Sequence, residues 1–512
     1  MTHQSRGVKI VADEEGDRRI RRIVVVGGGT AGWVSASILA RAFPGSSIDI
    51  TLVESPDIAT VGVGEATIPP FVDLLAFLGI DEADFIRNTN ATYKLGIRFE
   101  DWLSPRQSYW HPFGTFGQPI NRRPFIHAWQ RAQREGLAPR VQEFSACARL
   151  GESASFLSGD AGARAGARHA LHFDAALVAQ YLRAYATALG VRRVERTVLD
   201  AIRKDDGTLR CLRLEGDDML YADLFLDCSG FAALLTGRTL GTGWIDWSDQ
   251  LPCDSAIVAP TPAEPPRAPF TRAIAQNAGW RWCIPLQHRT GEGYVYCSGA
   301  ISHDVARVEF TDGHHAKPLS DPRVLRFRTG RRRKLWNGNC VAIGLASGFL
   351  EPLESTSIHL ATSGVFALLE HFPDLDFDPR NIEAYNERLI EEMERARDFI
   401  LLHYCLNRRV GSDFWRQMRE VPLPDSLKER IETYCATGRI RPRPGELFSE
   451  LSWFYVFDGM GLRPRAHDPL LDVIPTAHFA SIINRMRQEA VAACRGASTH
   501  EAALTAVSAR LA

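Results

Sequence analysis

An α/β fold is predicted, with a body organised round a parallel sheet and a mainly helical C-terminal portion. Three observations carry this. Residues 22–26, RIVVV, are a short apolar run ending in glycines, the pattern of a strand buried on both faces. The helix-spaced segment AGWVSASILARAF and a second strand-like run, IDITLVES at 48–55, follow and complete a β-α-β unit. After residue 356 the pattern changes: segments 358–371, 380–405, 425–438 and 476–511 show helical periodicity and few β-branched runs.

Further strand-like runs are YADLFLDCSG at 221–230, YVYCSGAI at 294–301 and CVAIGLAS at 340–347. The interval 100–165, rich in Gly, Pro and aromatics, reads as irregular. The organisation expected is a flexible tail over 1–19, an α/β body over 20–356 and a mainly helical portion over 357–512. Internal repeats are absent, and the one biased stretch is AGARAGARHA at 161–170.

At 512 residues the chain exceeds one small core, and length alone suggests two to four domains or one intertwined α/β unit. Apolar residues make up 45% and charged residues 24%, as in a globular protein. With 60 basic against 61 acidic residues the net charge is -1, which gives no bulk attraction to nucleic acid or to a membrane surface. No apolar run reaches the ~18 residues of a membrane span, and the charged N-terminus lacks the apolar core of a signal peptide. The ten cysteines run from Cys147 to Cys494 without a CxxC pair, and several, such as Cys228 and Cys340, sit in apolar runs. Buried reduced thiols in a cytoplasmic protein are expected, with no metal site.

Gly27, Gly29 and Gly32 form G-x-G-x-x-G between the first strand and the first helix, which Thr30 and Ala31 open. The first glycine permits the tight turn, the second lets backbone approach a pyrophosphate, and the third lets helix pack on strand. The helix N-terminus adds N–H groups and a positive dipole end. Glu54 ends the second strand, 22 residues beyond Gly32, where a carboxylate can accept from a ribose hydroxyl. The competing reading is a glycine-rich turn without a ligand; the strand, helix and acid around it argue against that. DLFLDCSG and CVAIGLAS, the latter with Gly344, resemble later strands of glutathione-reductase-like flavoproteins and favour FAD over NAD. A second complete GxGxxG for a nicotinamide is missing, so the flavin is expected to arrive as FADH2 from a separate flavin reductase.

Four further motifs, in order, resemble the flavin-dependent tryptophan halogenases over about residues 20–475. They are VGVGEATIP at 61–69, ATYKLGIRF at 91–99, GWRWCIP at 279–285 and FLEPLESTS at 349–357. The resemblance implies a Rossmann-type FAD-binding body of the flavin-monooxygenase kind. It implies an activity in which FADH2, oxygen and chloride or bromide yield hypohalous acid, which travels to a separate aromatic site. It places flavin contacts at Gly64, Glu65 and Ala66. Lys94 would receive or orient the oxidant as a haloamine or hydrogen-bonded acid, against the alternative of an exposed surface lysine. Glu354 would polarise the oxidant or accept the ring proton, against the alternative of a helix-start acid. The amides of Thr356 and Ser357 would hold halide, with Ser357 standing where the family has glycine. Trp280 and Trp282 would block substrate from the flavin, a role compatible with ordinary core tryptophans.

The resemblance also implies a substrate pocket, completed by the helical portion. His111 and Phe113, in SYWHPFGTFG, match positions that sandwich an indole. Phe448 stands where tryptophan-specific members have a stacking tryptophan, and Trp453 and Phe454 where they have tyrosines. The stretch TGRIRPRPGELF is shorter than in those members and brings Arg441 and Arg443, so the segment that binds the tryptophan zwitterion is not clearly present. Indole, a substituted indole or a larger indole-bearing molecule is the expected substrate. An aromatic hydroxylase and a non-catalytic flavin-binding protein stay open as rivals, as do the ring position, the halide and a homodimer.

Overall fold

Val24, Val26 and Val53 pack on one face of a parallel sheet and Ile23, Val25 and Leu52 on the other, so the apolar run of the first strand is continuous because both faces are covered. The computed structural model describes residues 17–45, 47–57, 64–137, 140–313 and 317–509. In space the sheet runs Trp336–Asn337, Cys340–Ala342, Leu224–Asp227, Arg22–Val26, Asp49–Glu54, Arg192–Glu195, all parallel except the first pair. Helix Thr30–Ala42 lies on one face, against helices Ala175–Ala188 and Ser357–Glu370. The other face is covered by the antiparallel strands Val198–Arg203, Leu209–Leu214 and Met219–Tyr221.

A seven-stranded sheet forms the second layer, in the order Arg323–Arg326, Ser255–Pro262, Arg289–Tyr296, Gly279–Pro285, Thr271–Gln276, Gly96–Glu100, Ser108–Pro112. A three-stranded sheet, Gly64–Ala66, Ala170–Asp174, Thr92–Lys94, joins the layers. Leu95 is the single residue between Thr92–Lys94 and Gly96–Glu100, so Lys94 stands at the junction of two sheets. From Ser357 onward the described elements are helices, apart from the short strand Ser498–Thr499. The 27-residue helix Pro379–Cys405 supplies a long buried face.

Several local expectations are corrected. The interval 100–165 is not irregular: it holds strand Ser108–Pro112 and helices Phe125–Arg134, Ala146–Glu152 and Gly159–Arg164. Pro124 stands at the N-cap of Phe125–Arg134, so a proline here marks a helix start and not irregular chain. Run 221–230 divides between two sheets, and 340–347 is strand only to Ala342, because Gly344, at φ +65°, opens a 3₁₀ turn. Segment 476–511 breaks at Gly496, φ +84°, after which Ser498–Thr499 pairs with Ser155–Phe156. Helix Glu450–Gly459 escapes periodicity because Trp453 to Phe457 are buried on every side. Residues 1–16 of the expected tail lie outside the described residues, whereas Arg18 and Arg19 are tied to Asp374 and Leu375 by backbone pairing. All ten cysteines are free and six are buried. Among the described residues, no helix is long and apolar enough to cross a membrane.

Candidate active site

The glycine turn is built to admit a phosphate. Gly27 has φ +115°, and a Cβ there would fall 2.3 Å from the Cys228 carbonyl oxygen. A Cβ on Gly32 would meet the Gly27 carbonyl at 1.8 Å. Beside Gly29, in contrast, space is open, and Gly29 caps helix Thr30–Ala42 without a side-chain acceptor or an acid in the first turn. Uncapped amides at a helix start, facing open space, suit a pyrophosphate. Gly344 abuts this turn, since a Cβ there would lie 2.8 Å from the Ala31 methyl. Glu54 bonds the Arg193 guanidinium through Oε1, and its Oε2 lies against Gly28, where a Cβ would come within 1.4 Å. The residues fit a dinucleotide, with Glu54 anchored at the edge of the turn. Gly64 faces Gly291 across a close backbone approach, where a Cβ on Gly64 would lie 3.2 Å from the Gly291 Cα, and burial, with help from Asp174, pushes the Glu65 carboxyl up to about 7. Residues 61–63 of the expected flavin strap lie outside the described residues.

Lys94 is wholly buried, not a surface lysine. Its Nζ donates to the Thr67 carbonyl and to Ser355 Oγ, each at 2.8 Å, and sits 5.3 Å from the centre of the Phe113 ring. Burial pushes its pKa down to about 7, against the opposing pull of Glu354. The amine and ammonium forms therefore coexist near neutrality.

Ser355 adopts φ +59°, the left-handed region, directly after the 3₁₀ turn Pro352–Glu354. A non-glycine residue holds that conformation only where its surroundings enforce it. Here the turn aims Ser355 at Lys94 and Glu354 at two histidines. Glu354 Oε2 lies within hydrogen-bond reach of His111 Nδ1 at 2.8 Å, and Oε1 stands 2.8 Å from His403 Nε2 without the alignment of a hydrogen bond. His403 Nδ1 in turn meets the Tyr109 hydroxyl at 2.5 Å, and its ring stacks on Phe99 at 4.4 Å. Burial alone would raise the Glu354 pKa; the two imidazoles outweigh it and hold the carboxyl at about 2. Burial pushes His403 down despite the carboxylate. The site thus carries a fixed carboxylate beside a lysine poised to exchange its proton.

Thr356 and Ser357 begin helix Ser357–Glu370, which has neither a side-chain cap nor an acid in its first turn, and Thr356 Oγ1 is buried without a partner. That is a site of the kind an anion fills. Ser357 leaves the backbone donors in place.

Trp280 and Trp282 project from one face of strand Gly279–Pro285, their rings 6.0 Å apart. Trp282 fits because its cross-strand partner is Gly293, where a Cβ would fall 2.1 Å from the indole. Trp280 Nε1 donates to Glu351 Oε2 at 2.7 Å, which also accepts from the Tyr404 hydroxyl at 2.7 Å. Glu351 Oε1 is buried and unpaired, and burial pushes this carboxyl up to about 7. The unfolded chain loses that proton first, at its usual 4.5, so the fold loses stability as pH rises from about 4.5 to about 7. Glu351→Gln keeps an acceptor for both donors and removes the titration. Its unfolding free energy relative to wild type is expected to climb through that window and then level off, by an upper bound of about 3 kcal/mol, with Tm following. Thermal unfolding of both proteins across pH checks it; a flat difference refutes the assignment.

Aromatic rings cluster beside His111. Phe448 stacks on Phe399 at 3.7 Å and comes 6.1 Å from His111; Phe399 is 5.5 Å from His111. Trp453 meets the edge of Phe399 at 4.9 Å, one ring further out. Phe454 packs on Phe116 and Trp129, in a stack that shares no ring with the Lys94–Glu354 group. Thr67, Glu351, Ser355, Phe399, His403 and Tyr404 were not singled out from sequence. Glu351 and Ser355 lie inside the FLEPLESTS motif; Phe399, His403 and Tyr404 lie in the apolar C-terminal run of helix Pro379–Cys405, whose sequence carries no sign of them.

Comparison with known proteins finds relatives over nearly the whole chain. The family model "Tryptophan halogenase" matches residues 22–476. Tryptophan 7-halogenase RebH of Lentzea aerocolonigenes is 36% identical, covering 90% of this chain and 93% of its own. Among solved structures, BrvH, a flavin-dependent halogenase from Brevundimonas sp. BAL3, superposes with a TM-score of 0.92 at 42% identity, over 96% of this chain and 100% of that one. Xcc4156, a flavin-dependent halogenase from Xanthomonas campestris, gives 0.93 at 41%, over 96% and 99%. The glycine turn, the buried lysine and the halogenase relatives lead to one conclusion: the chain belongs to the tryptophan halogenase family of flavin-dependent halogenating enzymes.

Proposed function

We propose that this enzyme halogenates indole or an indole derivative, with Lys94 delivering the electrophile and Glu354 taking the ring proton. One observation carries the reading: a wholly buried lysine, its pKa brought to about 7, is hydrogen-bonded to the residue beside a carboxylate held ionised by two imidazoles. Bound FADH2 supplies, with oxygen, the two-electron oxidation that turns halide into hypohalous acid. The chain's own residues do the rest. The first amides of helix Ser357–Glu370, at Thr356 and Ser357, hold halide. Trp280 and Trp282 fill space and keep the aromatic substrate from the flavin. The Lys94 amine receives halogen as N–X with release of water, or its ammonium hydrogen-bonds the acid. His111, Phe113 and Phe448 hold the ring, and Glu354 accepts the proton as the ring rearomatises.

The test is an aromatic panel with chloride and bromide, FAD and a flavin reductase, read by mass spectrometry. A halogen isotope pattern is expected; a gain of oxygen alone would make the protein a hydroxylase, and no product with bound flavin a binding protein. The pure protein without a reductase is expected not to oxidise NADH or NADPH stoichiometrically, because the chain has one dinucleotide motif.

A site that lacks partners for an ammonium and a carboxylate must desolvate both to admit free tryptophan. Indole is therefore expected to be turned over with a higher kcat/KM than tryptophan, at its most electron-rich carbon. Steady-state comparison under one halide checks this, and a tryptophan preference with a single benzene-ring product overturns it.

A further inference from the structure

Arg430, Arg439, Arg441 and Arg443 line one surface groove, with Thr433 and Glu429. Their acidic partners do not balance them. Glu429 is shared between Arg441 at 3.7 Å and Arg443 at 3.5 Å, both long contacts. Asp468 is shared between Arg439 and Arg123. Arg430, almost wholly buried, pairs with Glu446 through Nη2, while its Nη1 has no hydrogen-bond partner among the described residues. Burial, opposed by Glu446, and the nearby Arg443 and Arg395 hold that guanidinium below its usual pKa.

The groove is joined to the catalytic group by rings. The Arg430 guanidinium sits 4.1 Å from the Trp453 ring centre. Trp453 meets Phe399, Phe399 stacks on Phe448, and Phe448 approaches His111, which holds Glu354. The shortest path from the groove to His111 runs through two packed rings, Trp453 and Phe399. The carboxylate of a free amino acid, a few bonds from its ring, does not span them.

We infer that this arginine groove is a binding site for an oxyanion, carboxylate or phosphate, borne on a long arm of the aromatic substrate. The inference rests on the halogenase reading above and gives its substrate a class: an indole carried by a larger anionic molecule. The planar guanidinium fork matches both oxyanions bidentately, and an under-neutralised cluster binds them with charge-assisted hydrogen bonds.

Isothermal titration tests it directly. The probes are indoles with flexible 3-substituents of increasing length, ending in a carboxylate, a phosphate or a neutral methyl ester. Wild type is expected to bind the long oxyanion arms about tenfold more tightly than the ester, with short arms showing no gain and added salt eroding the difference. Whichever of carboxylate and phosphate gains more identifies the source. Arg441→Ala/Arg443→Ala, two substitutions outside the core, is expected to lose the difference, and Arg441→Lys/Arg443→Lys to keep part of it. Equal affinity for ester and oxyanion arms in wild type, or an undiminished difference in the alanine variant, overturns the inference. Indole halogenation with no arm discrimination removes the groove alone. An arm preference without halogenation of any indole removes the proposed reaction and leaves the groove.

Discussion

Lys94→Ala yields no halogenated product, at least about 10³ below wild type, while oxidation of reduced flavin and release of peroxide continue. The reason is position. Lys94 Nζ sits over the Phe113 ring and hydrogen-bonds Ser355, and in the proposed reaction it acts on the oxidant after that has formed. Removing the amine uncouples the two halves of the reaction rather than stopping the first. Lys94→Arg separates the two ways a lysine can act: guanidinium stays protonated, so it can hydrogen-bond the acid but cannot form N–X. Product from the arginine variant would favour hydrogen bonding; none would favour the haloamine. Liquid chromatography with peroxide assay checks the alanine variant, and wild-type product formation by it refutes the role.

Glu354→Gln is expected to lower kcat about 10²-fold and leave residual activity with little change in KM. The amide keeps the shape between His111 and His403 but cannot take a proton. Intrinsic loss of the ring proton to solvent accounts for the residue of activity. Unchanged kcat would make Glu354 a structural acid.

What residues alone determined is local. RIVVV, the glycine turn and Glu54 are near neighbours along the chain, and their geometry follows from steric limits on a strand-turn-helix, so their place is legible in the sequence itself. The FLEPLESTS motif marked the second site as a segment. What the segment does was decided only by packing. Ser355 reaches Lys94 across 261 residues, and Glu354 reaches His111 across 243, because a 3₁₀ turn and a left-handed residue meet the junction of two sheets. The pKa of Lys94 is a property of that burial and appears in no local pattern. His403 and Phe399 come from a helix whose apolar run hides which side chains meet Glu354 and Phe448, since those and the core side chains there are buried alike. The fate of Phe454 was decided the same way: sequence position aligned it with the pocket, and the close packing of Phe116 and Trp129 placed it in another layer.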